Sequence, residues 1–93
     1  MSGTATLVHR YPVDDGGGID IINASGVYQL TPPYKGHSLV VVSEASSVQF
    51  GINETMVFAA NADYSVSNWT DLYVIDGTSQ EKCLAAMGYK VSK

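Results

Sequence analysis

Charge is what this chain has least of. Five Lys or Arg and nine Asp or Glu make up 15% of its 93 residues, with a formal net charge of −4, where a soluble domain ordinarily carries ~25% charged residues. Arg10, Lys35, Lys82, Lys90 and Lys93 form no basic patch in sequence. Nothing is therefore placed to release counterions from a phosphate backbone, and nucleic acid is not an expected partner. Cysteine is nearly absent too. The single Cys83 permits no intrachain disulfide and no cysteine-based zinc site. Its setting, Lys82-Cys83-Leu84-Ala85-Ala86, suits a small buried hydrophobe better than an activated thiolate. No apolar run approaches 18 residues, and no basic segment leads into an apolar one at the start. The expectation is a chain without a secretion signal that works away from membranes.

Catalytic patterns are missing as well. His9 and His37 are the only histidines, and nothing in the sequence sets either beside Asp20, Asp63 or Asp71, as acid/base work requires. Ser is abundant without a Gly-x-Ser-x-Gly elbow. Asp14-Asp15 before Gly16-Gly17-Gly18 lacks the further oxygens of a calcium loop, and the lysine and helix of a phosphate loop. It suits a flexible turn. Asn23, Asn53 and Asn68, each followed by x-Ser/Thr, serve better as turn markers than as glycosylation acceptors in a chain that is not secreted. The sequence predicts no metal, no cofactor and no enzyme.

What is present is β pattern. Apolar residues reach 45%, enough for one domain over 1–93, which at this size removes only about 60–65% of its surface from water. Residues 4–11 suit an edge strand or N-terminal arm that stops at Pro12, so that 1–18 form an arm and a glycine turn. Strands follow over 19–23 and 27–30, separated by a turn at Ala24-Ser25-Gly26, and Pro32-Pro33 make 31–36 a loop. The apolar run 37–43 suits a strand buried on both faces. Beyond a turn at Glu44-Ala45-Ser46, residues 47–52 alternate, with Val48, Phe50 and Ile52 inward. Turns at 53–55 and 61–63 bracket a strand at 56–60. A short strand at 64–66, a connection carrying Trp69, and a strand at 71–75 closed by Asp76-Gly77 complete the pattern.

The C-terminal stretch has two readings. Thr78 or Ser79 can cap a helix with Glu81 in its first turn, Leu84 and Met87 facing the core and Gly88 past its end. Alternatively 83–87 and 89–92 are short strands bent at Gly88. Either way the fold class is mainly β, a small antiparallel β-sandwich or jelly-roll-like barrel. With six Tyr, two Phe and one Trp, the candidate interface or binding residues are Tyr34, Tyr64, Trp69 and Tyr73. Such rings can pack, anchor a subunit contact or stack on a sugar.

The central stretch resembles the small accessory virion proteins of tailed bacteriophages. The shared style is an apolar-x-Phe-Gly segment, Val48-Gln49-Phe50-Gly51. A turn at Ala60-Asn61-Ala62-Asp63-Tyr64 follows it, and then an aromatic strand before a glycine turn, Asp71-Leu72-Tyr73-Val74-Ile75-Asp76-Gly77. The likeness covers roughly the second half of the chain and carries no functional residues. It implies a short β-sandwich that decorates a capsid or belongs to a tail or fibre, assembled in the host cytoplasm. The expected partners are copies of itself, with a trimer or other closed ring favoured because it covers sheet edges, and a larger capsid or tail scaffold. The alternative is a small carbohydrate- or ligand-binding module using Trp69 and nearby tyrosines.

Overall fold

The computed structural model describes residues 3–14 and 22–92. They form β1 (Gly3–Arg10), β2 (Ile22–Tyr34), β3 (His37–Ser47), β4 (Ile52–Ala60), β5 (Val66–Asp76), α1 (Gln80–Ala86) and β6 (Tyr89–Ser92). The strands hydrogen-bond into one sheet of order β5-β4-β3-β2-β1-β6. Every pair is antiparallel except β1–β6, which is parallel. Parallel neighbours need a crossover, and α1 supplies one by carrying the chain from the β5 edge to the β6 edge. The fold is mainly β with a short C-terminal helix. The sandwich or jelly-roll-like barrel expected from the sequence resolves into one curled sheet. Across its inner face, the ring of Tyr34 on β2 lies 6.4 Å from Tyr73 on β5 and 6.4 Å from Tyr89 on β6.

Alternation along the strands sorts the side chains onto two faces. The inner face carries Ala5, Tyr28, Leu30, Val40, Val42 and Val57, closed by Cys83 and Leu84 of α1 and by Tyr89. Fully burying a side chain of this kind contributes about 1.5–3 kcal/mol. Ser79 caps α1 by accepting the Lys82 amide at 3.1 Å, and Gly88 ends it at φ +100, so the helical reading holds before Gly88, while 89–92 form the second strand of the alternative reading. On the outer face Val27, Val41 and Phe58 stand in register and are buried.

Several expected boundaries move. Residues 4–11 are no loose arm: β1 is paired on both sides, and Ala5 is fully buried. The glycine turn from Asp15 and the 19–21 part of the next expected strand lie outside the described residues. Ala24-Ser25-Gly26 is not a turn but the middle of β2. Gly26 is required there by close packing, since a Cβ would lie 2.7 Å from Gln80 Oε1 and 3.0 Å from Leu7 Cδ1. Pro32 and Pro33 also stay in β2. The strand leaves β3 between Gln29 and Tyr34 while still pairing with β1 through Leu30 and Thr31, so neither proline is asked for a ladder N–H toward β3.

The largest correction concerns the β3–β4 hairpin. Glu44-Ala45-Ser46 and residues 53–55 are strand, and the turn falls at 48–51. Gly51 takes φ +66, and Ser47 Oγ accepts the Phe50 amide at 3.1 Å. Val48 and Phe50, expected inward, therefore point out at the hairpin tip. Asn23, Asn53 and Asn68 all sit in strands rather than turns. Asn68 keeps turn chemistry, accepting the Thr70 amide at 2.8 Å.

Candidate functional site

A groove of about 470 Å³ opens between β1, β6 and the start of α1. Leu7 and Val91 give it an apolar side, and Arg10, Tyr28, Glu44, Gln80 and Glu81 a polar one. Gln80 organises the polar side. Its Oε1 accepts the Tyr28 hydroxyl at 2.8 Å, and its Nε2 donates to Glu44 Oε2 at 2.9 Å and to the Ala24 carbonyl at 3.4 Å. Both ends of this buried amide are satisfied, as burial of a polar group demands. Burial pushes the Tyr28 hydroxyl up from its ordinary pKa; the nearby Arg10 charge acts against this, and Glu44 and Glu81 act with it. The phenol thus remains a neutral donor near pH 7.

Cys83 stands outside the groove, fully buried, and burial pushes its thiol up to about 11 from 9.0. Burial also raises Tyr28 and Tyr89. Each of these groups keeps its proton in the folded chain at a pH where the unfolded chain has released it. For Cys83 the stabilisation is whole below about pH 9 and is lost as pH climbs towards 11. One such group accounts for up to ~1.4 kcal/mol per pH unit in that window. Urea midpoints should therefore fall between pH 9 and 11, less steeply in Cys83→Ala, and a thiol reagent at pH 8 should label Cys83 only as the chain unfolds. Rapid labelling of the folded protein contradicts this assignment.

The four candidate aromatics do not share one surface. Tyr34 and Tyr73 meet on the inner face, where Lys35 Nζ also lies 5.4 Å from the Tyr34 ring centroid. Tyr64 stacks on His9 at 5.2 Å, and its carbonyl accepts the Tyr11 hydroxyl at 2.6 Å. Trp69 lies edge-on to Phe58 at 5.3 Å and is 76% exposed. It stands out because β5 carries three more residues than β4 between the Val57–Tyr73 and Ala59–Asn68 pairs. Such a bulge also interrupts an otherwise open edge strand. Trp69 is therefore not the packed contact that its size suggests. Trp69→Ala should cost under about 1 kcal/mol in urea unfolding, against about 3–5 kcal/mol for a core Trp; a loss in the core range would place the indole in a packed site.

Of the candidate acid/base residues, Asp20 lies outside the described residues. His9 is engaged by Tyr64 and, edge-on at 4.6 Å, by Tyr11. Asp63 accepts the hydroxyl and amide of Ser65, which lowers its pKa. Asp71 lies exposed on the β5 bulge. No group of three His, Cys, Asp or Glu among the described residues is placed to hold a metal ion.

The feature that sequence reading missed is the hairpin tip, with Val48 102% and Phe50 56% exposed. Gly51 and the Ser47-to-Phe50 spacing are the signals that could have located this turn. No protein-family model, no curated protein and no solved structure matches the chain.

Proposed function

We propose that this chain is a non-enzymatic structural protein that works by self-association and by docking on a larger scaffold, as a capsid-decorating or tail-associated component of a bacteriophage particle. The observation that carries the assembly reading is the β3–β4 tip: Val48 and Phe50 project into solvent on a chain whose buried polar side chains among the described residues are all satisfied. Apolar groups clustered outside a satisfied core mark a contact surface. The phage setting rests on the resemblance of the 48–77 segment. Mass spectrometry of purified particles tests it: the chain should appear in a fixed ratio to the major shell or tail protein, and its absence from particles overturns the virion assignment.

The groove favours a second reading, a small-ligand module that offers an apolar floor beside charges of both signs. A thermal-shift screen of glycans and charged metabolites separates the two. Under the assembly reading no compound shifts the wild-type melting temperature in a way that Arg10→Ala abolishes.

A further inference from the structure

The strand register gives this molecule two unlike ends. At one end lies the 48–51 turn. Near it are Ile22 opposite Ser46, Asp76 opposite Glu54, and Val13 next to the Asp14–Asn23 bridge. Val13, Ile22, Val48 and Phe50 are 67%, 48%, 102% and 56% exposed, so four of the large exposed apolar side chains gather here. Glu54 and Asp76 are directly opposed in the β4–β5 ladder, a like-charge pairing that destabilises a sheet unless a cation relieves it. Neither has an ion-pair partner among the described residues. At the other end the Lys35-Gly36 turn joins β2 to β3, and Pro32 and Pro33 are exposed beside it. Lys90 stands there as well, paired with Thr4, which itself pairs with Thr31.

We propose that these two ends are the two halves of one contact, in which the Val48/Phe50 tip of one copy seats on the Pro32, Pro33 and Lys35 end of the next. Glu54 and Asp76 then face Lys35 and Lys90. This deepens the assembly reading above and rests on it. The occupant is a second copy because the charges are complementary: an apolar end with an unrelieved acidic pair matches an end that carries two lysines and exposed proline rings. An acidic pair of this kind repels an anionic membrane or nucleic acid. Every copy carries one half of each kind, so the contact is heterologous and continues from copy to copy, closing into a ring or extending as a filament.

Mixing two variants, each with one end disabled, tests the contact in sedimentation velocity. Val48→Ser/Phe50→Ser disables the tip, and Lys35→Glu/Lys90→Glu disables the receiving end; all four side chains lie at turns or on an edge strand, and matching circular dichroism and urea midpoints establish that both variants fold. Asp76→Lys is a second tip-end variant should the first prove unstable. Wild type should run above the 9.9 kDa monomer, each variant alone should run as a monomer, and their equimolar mixture should form a species of twice the monomer mass and nothing larger. Self-association of the tip variant at wild-type strength, or a mixture that stays monomeric while wild type associates, overturns the end-to-end contact and leaves self-association standing. A monomeric wild type overturns the assembly reading beneath it.

Discussion

Leu84→Ala should lower unfolding stability by about 3–5 kcal/mol, the largest loss expected of a single side chain here. Leu84 is fully buried, and α1 has only seven residues, far fewer than the roughly 12–15 that a helix needs to persist alone in water. Its order therefore comes from what Cys83 and Leu84 bury against Val40, Val42 and Val57 of the inner face. The helix is also the crossover that delivers β6 to β1, so loosening it weakens a parallel pairing of only four register positions. Against a total stability of about 5–15 kcal/mol for a domain of this kind, the variant should be close to unfolding at 37 °C. A urea melt checks this. A loss under about 1 kcal/mol would mean that the helix contributes little to the core.

Thr55→Val should cost about 2–4 kcal/mol although it changes almost no volume. Thr55 is fully buried, its hydroxyl donates to the Gly77 carbonyl at 2.7 Å, and the same oxygen accepts the Ser79 amide at 3.0 Å. One hydroxyl thus fixes the turn after β5 and the start of α1 onto β4. Valine leaves a carbonyl and an amide without partners, each costing about 1–3 kcal/mol where water is excluded. Thr55→Ser keeps the oxygen and loses only a methyl, so it should cost about 1 kcal/mol. Equal losses in the two variants would show that packing rather than hydrogen bonding sets the role of this residue.

Short-range chemistry in this chain is legible, and long-range satisfaction is not. Ser79, Glu81 and Gly88 offer α1 through capping rules as one of two readings of the C-terminal stretch, Asp76-Gly77 marks a turn at Gly77 φ +89, and Cys83 declares its burial by its neighbours. The misplaced turns share one cause. Polar side chains at 44 and 55 look like loop residues until Gln80 and Gly77, each more than 20 positions away, supply their partners. Gly26 looks like a turn because its purpose, room for Gln80 and Leu7, arises only once the helix has crossed the sheet. Val48 and Phe50 deceive in the opposite direction: their alternation imitates a buried strand, while the local Ser47-to-Phe50 hydrogen bond and the left-handed Gly51 bend the chain at that point. From sequence the aromatics are candidates for packing, for a subunit contact or for a sugar platform. They disperse because Tyr34 and Tyr73 close the inner face while Tyr64 and Trp69 stand outside it.

Under the proposed assembly role, the exposed Val48 and Phe50 meet a second copy of the chain. Sedimentation equilibrium of the wild-type protein over a wide concentration range tests that most directly. The weight-average mass should rise with concentration from 9.9 kDa towards whole-number multiples of it, and a mass that stays at the monomer value at the highest concentration reached would contradict the assembly role.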